Sequence, residues 1–412
     1  MNLTFIKRIP KSVFYMFEKY ANVVYLALFT FVMARVLNVE DFGIISNAEA
    51  IVAIISIFSF QGLEQLVQRE IVNKGEDEGK ILGAAILFKV PGIVLGLLIA
   101  ITWGVFTENE KLRMCIFIYS GLIIARSLTI LSAPLISKDE YIKFSAIGIS
   151  TYTIFFFLKL YVIFYHPSLS LIVFATVVEN IFLVILYFIF GAKRKFIEFR
   201  GVANYLEIYF KEGLYLVFSG AMVVIYTKTD QLYIAKFMSY EVLADYAIAL
   251  KFLMIYIIPS TIFTLSYISK LNKASEEYFI NSRKMLLGSV AIGISFGVIC
   301  ALTTPFIIEL IYGMKYVMAK SYIVVLSLVV PLCFILNSTG RIFVNEGMGS
   351  FLFKRNLMAL IYNVVAGYLL IKFMGAWGGV VAIISSYAIS ALVMVAYSKK
   401  SREIMIGILL AK

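Results

Sequence analysis

The stretch IYTKTDQLYIAKFMSYEVLADYAIALK, residues 225 to 251, sets Lys228 and Asp230 inside an otherwise apolar run. Ionisable side chains are costly in hydrocarbon, and those that persist there usually have a function. The same stretch repeats a segment of the first half in register. Ala34, Arg35, Glu40, Gly43, Ser46 and Ala48 stand opposite Ala235, Lys236, Glu241, Ala244, Ala247 and Ala249, every pair 201 positions apart. That offset is close to half of the 412 residues, so the chain reads as two related halves, each with a helix, a tight acidic turn and a second helix.

Outward from this stretch, 61% of the residues are hydrophobic and 15% are charged. Soluble domains carry about 25% charged residues, so the composition is that of an integral membrane protein. The apolar runs are about 20 residues long, the length of an α-helical span across about 30 Å of hydrocarbon and too long for the alternating strands of an outer-membrane barrel. The pattern predicts an all-α membrane protein with twelve transmembrane helices, at 13 to 36, 42 to 66, 81 to 106, 113 to 136, 145 to 165, 169 to 191, 213 to 237, 243 to 268, 285 to 308, 320 to 345, 354 to 374 and 376 to 397. The start MNLTFIKRIPK lacks an apolar core and a small-residue cleavage site, so the first span is expected to remain as an anchor.

A net charge of +12 would suggest nucleic acid for a soluble chain, but here the cations gather in short loops, where they report topology. Membrane lipid, not nucleic acid, is the expected partner. On one side lie Lys7, Arg8 and Lys11; Arg69, Lys74 and Lys80; Lys138 and Lys143; Lys193, Arg194, Lys195, Arg200 and Lys211; Lys270, Lys273, Arg283 and Lys284; Lys354 and Arg355; and Lys399, Lys400 and Arg402. The positive-inside rule then makes both termini cytoplasmic. Six spans per half give a parallel repeat, two six-helix bundles (1–191 and 213–397) around a central cavity that is the expected substrate path. Residues 192–212 between them read as a cytoplasmic amphipathic linker and 398–412 as a tail too short to span. Cys115, Cys300 and Cys333 have no metal-ligand spacing and read as packing residues, and His166 as the only histidine argues against histidine–metal chemistry.

Within the spans the deepest ionisable residues are Lys89, Arg126, Glu179, Lys228 and Asp230. They either line a cavity or pair with one another, Arg126 with Glu179 for instance. Lys159, Lys236 and Lys251 lie nearer span ends, where a lysine reaches the interface along its own stem. Asp245 opens a helix, and a carboxylate there is stabilised by the helix dipole without any further role. Gln61, Glu64, Gln65 and Gln68 share one face, either of a vestibule or of a hydrated helix end. Spans nine to twelve are nearly free of charge, which favours a charged site near spans one, two, seven and eight.

At ARVLNVEDFG (34 to 43), FQGLEQLVQREI (60 to 71) and the stretch quoted first, the sequence resembles the polysaccharide biosynthesis family of bacterial membrane proteins. These are the flippases for O-antigen, capsule and related repeat units, within the multidrug, oligosaccharidyl-lipid and polysaccharide exporter superfamily. The family pattern has an Arg in the place of Arg35, an Asp in the place of Asp230 and a Gly-x-Tyr where this chain has Ala244, Asp245 and Tyr246.

The resemblance implies a transporter, not an enzyme, that moves an undecaprenyl-pyrophosphate-linked oligosaccharide from the cytoplasmic to the outer leaflet of the inner membrane by alternating access. The polysaccharide polymerase machinery is an implied partner. On that reading Lys228, Arg126, Lys89, Arg35 and Lys251 are candidate pyrophosphate partners, and Asp230 and Glu49 are candidates for coupling to H⁺ or Na⁺. No cofactor is expected, and an interior-negative potential assists an outgoing anion by roughly 2.3 kcal/mol per charge per 100 mV unless protein cations move with it, enough by itself to bias the cycle. The competing readings are a multidrug and toxin antiporter of the same superfamily, a lipid II flippase, and a polymerase or ligase acting on the same carrier.

Overall fold

The computed structural model describes residues 11–60, 62–191, 197–267, 271 and 277–410. Lys7, Arg8, Gln61, Lys193, Arg194, Lys195, Lys270 and Lys273 lie outside the described residues, as do the side chains of Lys11 and Gln65. Every element described is helical, and the packing divides the chain into two units, Met1–Val224 and Ile225–Lys412.

The N-terminal unit holds α1 (Lys11–Val36), α2 (Val39–Ile55), α3 (Glu64–Asn73), α4 (Glu78–Val105), α5 (Glu110–Tyr119), α6 (Gly121–Leu128), α7 (Ala133–Ser137), α8 (Tyr141–Tyr165), α9 (Leu169–Phe190) and α10 (Ala203–Ile208). Helix α11 (Leu214–Phe237) runs from this unit into the next. The C-terminal unit continues with α12 (Tyr240–Leu265), α13 (Tyr278–Tyr312), α14 (Val317–Leu326), α15 (Val329–Asn345), α16 (Gly349–Met374), α17 (Ala376–Ala388), α18 (Met394–Tyr397) and α19 (Lys399–Leu410). Among the described residues ten helices are long and apolar enough to cross a membrane, and α14 with α15, bent by 41°, makes an eleventh. The remaining expected span is α11, 24 residues that include Lys228, Asp230 and Lys236.

The internal repeat is visible in the element boundaries. Helix α1 ends at Val36 and α11 at Phe237, while α2 begins at Val39 and α12 at Tyr240, both at the offset read from the sequence. The turns are built alike. Asn38 Oδ1 accepts the N–H of Asp41 at 2.7 Å, and Ser239 Oγ accepts that of Val242 at 3.4 Å, each capping a helix whose first N–H groups lack intrahelical partners.

The helices face the membrane in the manner that lipid demands. In α13 the buried positions Ser282, Ser289, Gly293, Gly297, Cys300 and Thr304 recur at helical spacing, while Leu287, Ile294, Leu302 and Phe306 are exposed. Hydrocarbon gives apolar side chains no reason to turn inward, so small residues take the contacts between helices and large ones face the lipid. Cys115, Cys300 and Cys333 are all buried.

Two local departures from the sequence reading matter for the site. The second span is not continuous from 42 to 66. After α2 the chain makes a 3₁₀ turn over Ser56–Ser59, Phe60 and Gly62 take positive φ of 53° and 103°, and α3 restarts at Glu64. Helix α4 passes this break so closely that a Cβ at Gly92 would lie 1.8 Å from the Phe58 carbonyl oxygen, which excludes any side chain there. Pro91, one residue earlier, removes a backbone donor and loosens α4 at the same depth.

The second departure concerns the linker. Its described part is docked on the N-terminal unit: the Glu198 N–H donates to Gly79 O at 3.1 Å, Tyr205 Oη to Asp77 at 2.8 Å and Tyr209 Oη to Ile81 O at 3.1 Å. Burial, then the Asp77 carboxylate beside it, pushes the Tyr205 phenol up to about 12, so it remains a donor at neutral pH. The compact units divide at Val224 and Ile225, inside α11.

Candidate functional site

In the N-terminal unit, buried acids and bases meet in pairs. Lys89 on α4 is 1% exposed, and its Nζ donates to Glu64 Oε1 at 3.0 Å and to Ser127 O at 3.1 Å. The other Glu64 oxygen accepts the Gly62 N–H at 2.8 Å. One carboxylate therefore ties the break in the second span to the third, and Lys89 ties both to the fourth, where α6 gives way to a 3₁₀ turn over Thr129–Ser132. Arg126, next to Ser127, feels the attraction of Glu49 on α2. At the start of α4, Lys138 meets the buried Glu78 at 2.5 Å, and Lys111 on α5 meets Asp41 on α2 at 2.7 Å.

Glu179 does not pair with Arg126. Its Oε2 accepts from Lys159 Nζ at 2.7 Å, and the ammonium lies 4.8 Å from the centre of the Phe29 ring. Nor does Lys159 reach for the interface, since it is only 5% exposed. The neighbouring helices α8 and α9 put lysine and glutamate at one depth, and α1 closes over them with an aromatic face that also attracts a cation.

In the C-terminal unit the hydrogen bonds to the buried charges Asp230 and Arg355 are made by neutral groups. Asp230 on α11 is 1% exposed; one oxygen accepts the Tyr246 hydroxyl of α12 and the other the Gln231 N–H at 2.9 Å, with Lys228 adding its attraction. Tyr246 packs edge-on to Tyr322, which packs edge-on to Trp377. The Asp and the Tyr singled out by the resemblance thus bond to each other and pin α11 to α12. Asp245 serves a helix other than its own: its Oδ1 accepts the Ala319 N–H at 3.1 Å, in the first turn of α14.

Of the sequence candidates, Arg35, Glu49, Lys89 and Arg126 belong to the N-terminal unit, and Lys228, Asp230 and Lys251 to the C-terminal one. Within the units the structure brings Glu49 to Arg126 and Lys228 to Asp230. Arg35 is exposed at the end of α1, and Lys228 and Lys251 are half-buried. Two participants escape the sequence reading. Glu64 stands in a polar stripe with no sign of Lys89, and Arg355 reads as a loop cation beside Lys354. Arg355 is instead inside α16 and 6% exposed, where Nη1 donates to Thr339 Oγ1 at 3.3 Å. The polar run Asn337, Ser338, Thr339 and Gly340 within an apolar span was the available signal.

A family profile described as polysaccharide biosynthesis protein matches residues 32–321, more than two thirds of the chain and parts of both units. The chain belongs to the polysaccharide biosynthesis protein family. Among solved structures it is similar to the lipid II flippase MurJ in an inward closed conformation, at 13% identity over 96% of this chain and 91% of that one, with a TM-score of 0.68. It is equally similar to the MATE multidrug transporter DinF-BH, at 14% identity, 98% of both chains and a TM-score of 0.68. A transporter of the MOP superfamily from Pyrococcus furiosus, described as having a binding pocket of reverse polarity, is similar with a TM-score of 0.54 at 12% identity over 97% of this chain and 94% of that one. No curated protein matches the chain. At these identities the likeness shows the fold: this family member has the all-α membrane architecture of the twelve-helix MOP transporters.

Proposed function

We propose that this family member moves an undecaprenyl-pyrophosphate-linked oligosaccharide from the cytoplasmic to the outer leaflet of a bacterial inner membrane, both termini being cytoplasmic. The observation that carries this reading is the family match across residues 32–321. Burying sugar hydroxyls and phosphates in hydrocarbon costs several kcal/mol each, so the polar head travels through the protein while the polyprenyl tail stays in lipid.

Lys89, Arg126, Arg35, Lys228 and Lys251 are the cations proposed to meet the pyrophosphate. Lys89 and Arg126 already face Glu64 and Glu49, so the substrate binds them by displacing a carboxylate. A displaced Glu49 has lost its counter-cation and takes up H⁺ or Na⁺, a route by which an ion gradient couples to transport. Asp230 is the second coupling candidate, because its charge is held by a hydroxyl and a backbone N–H that also suit a protonated carboxyl. The membrane potential adds roughly 2.3 kcal/mol per exported negative charge per 100 mV.

The test is leaflet accessibility of an undecaprenyl-pyrophosphate-linked oligosaccharide in proteoliposomes, with and without the protein, under an imposed potential. Protein-dependent translocation is expected. Absence of translocation for several glycans, together with efflux of a cationic dye, would replace this reading with drug antiport. Transport confined to lipid II would make the protein a peptidoglycan-precursor flippase.

A further inference from the structure

We propose that Arg355 binds an anion in the C-terminal unit, and that this anion is the phosphate moiety of the lipid-linked substrate. The choice of the lipid-borne phosphate rests on the function proposed above; the anion site itself rests on the geometry around Arg355.

The guanidinium is 6% exposed and makes one hydrogen bond, to the uncharged Thr339 hydroxyl. Its Nε is buried without an acceptor, and among the described residues no carboxylate lies within ion-pair distance. Burying an unpaired charge is costly. Arginine cannot escape the cost by losing its proton. Elsewhere in the chain the deeply buried lysines, Lys89 and Lys159, each have a glutamate. Among the described residues nothing supplies Arg355 with a counter-charge, a place that a bound anion would fill.

The orientation of the group specifies what would fit. Nη1 is committed to Thr339, which leaves the Nε and Nη2 edge, two parallel N–H donors of the kind that match two oxygens of a phosphate. Gly340 leaves a methyl-sized gap beside Nη2. A Cβ built at Gly340 on α15 would find Nη2 at 3.4 Å and nothing else within 4 Å, so the absent side chain leaves a space next to the free donors. Arg341, the next residue, also has a buried Nε without an acceptor, which adds positive potential to the same turn of α15. Tyr226 of α11, which interacts electrostatically with Arg355 and packs edge-on to Tyr387, bounds the neighbourhood with phenolic groups.

The experiment uses the full-length protein in lipid nanodiscs, with undecaprenyl pyrophosphate as the lipid probe and inorganic pyrophosphate as the free one. Binding is read by native mass spectrometry and by the ligand-induced shift in Tm. Arg355→Met should weaken undecaprenyl pyrophosphate about tenfold or more, as loss of a charged hydrogen-bonding partner does. Gly340→Val, which fills the space and keeps the charge, should weaken it as well, Arg355→Lys should recover part of the loss, and the exposed Lys354→Met should bind normally.

A structural role makes the opposite forecast for the empty protein. If Arg355 is kept for a ligand, Arg355→Met leaves the unliganded Tm unchanged or raises it, because a buried unpaired charge has gone. A fall in unliganded Tm of several degrees, with Gly340→Val binding normally, would overturn the proposal in favour of a packing role. Unchanged binding of both probes to Arg355→Met would also overturn it, and would leave the flippase reading standing if wild-type translocation is seen. Arg355-dependent binding of inorganic pyrophosphate without binding of the lipid probe would overturn the lipid source and leave a site for a free anion.

Discussion

In the N-terminal unit Lys89 meets Glu64 at 3.0 Å and Lys159 meets Glu179 at 2.7 Å, whereas in the C-terminal unit Asp230 is held by a tyrosine hydroxyl and Arg355 by a threonine hydroxyl. Both arrangements bury charge, but they fail differently. Removing one member of an acid–base pair leaves the other charge unpaired, and the loss falls on stability. Arg355, hydrogen-bonded to a hydroxyl and with no carboxylate in ion-pair distance among the described residues, can bind an anion without first evicting an acid, whereas Asp230 also feels Lys228. The N-terminal pairs therefore serve first as fasteners, and Arg355 is open to exchange.

The largest expected effect tests the fastener. Glu179→Ala or Lys159→Ala should each cost about 3–5 kcal/mol, the range for breaking a buried pair, while the double replacement by Leu and Met should recover most of it. Thermal unfolding in detergent measures this; single losses below about 1 kcal/mol would show that the pair is hydrated and the comparison misdrawn.

Tyr246→Phe comes next. It removes the hydroxyl that Asp230 accepts, at about 1.5–3 kcal/mol for a bond to a charged group. Asp230→Asn retains an acceptor for that hydroxyl and should cost less, yet should make transport insensitive to an imposed ion gradient if Asp230 is the coupling group. Gradient-dependent flux persisting in Asp230→Asn would move the coupling to Glu49.

Glu64→Gln sharpens the comparison from the other side. Glu64 is partly exposed and Lys89 keeps the Ser127 carbonyl, so the cost should be about 1–3 kcal/mol. Pyrophosphate should then bind more tightly, since its competitor has gone. Weaker binding in Glu64→Gln would take Lys89 off the substrate path. Smallest is Asp245→Ala, which uncaps the start of α14 and should lower stability by about 1 kcal/mol without altering substrate affinity.

Some of this arrangement was legible in advance. The helix ends at Val36 and Phe237 and the starts at Val39 and Tyr240 fall where the internal repeat puts them, and Lys89, Arg126 and Asp230 were recognisable as intramembrane charges. Their partners were not. Glu64 lies 25 residues from Lys89, and Glu179 lies 20 from Lys159, separations with no local signature. The break at Phe60 was hidden because an apolar run with one glycine has the same hydropathy whether it is straight or interrupted. Arg355 was misplaced because a cation close to a span end reads as a loop residue whichever way its side chain points.

What the sequence by itself determined is the membrane class, the number and approximate position of the spans, the two-half repeat and the family. These depend on hydropathy, capping residues and motifs, which are properties of neighbouring residues. The tertiary structure alone decided which side of each helix faces inward, which acid meets which base, and that Arg355 meets none among the described residues. In lipid the apolar side chains do not choose a face, so helix rotation, and with it every charge pairing, is settled only when the helices pack.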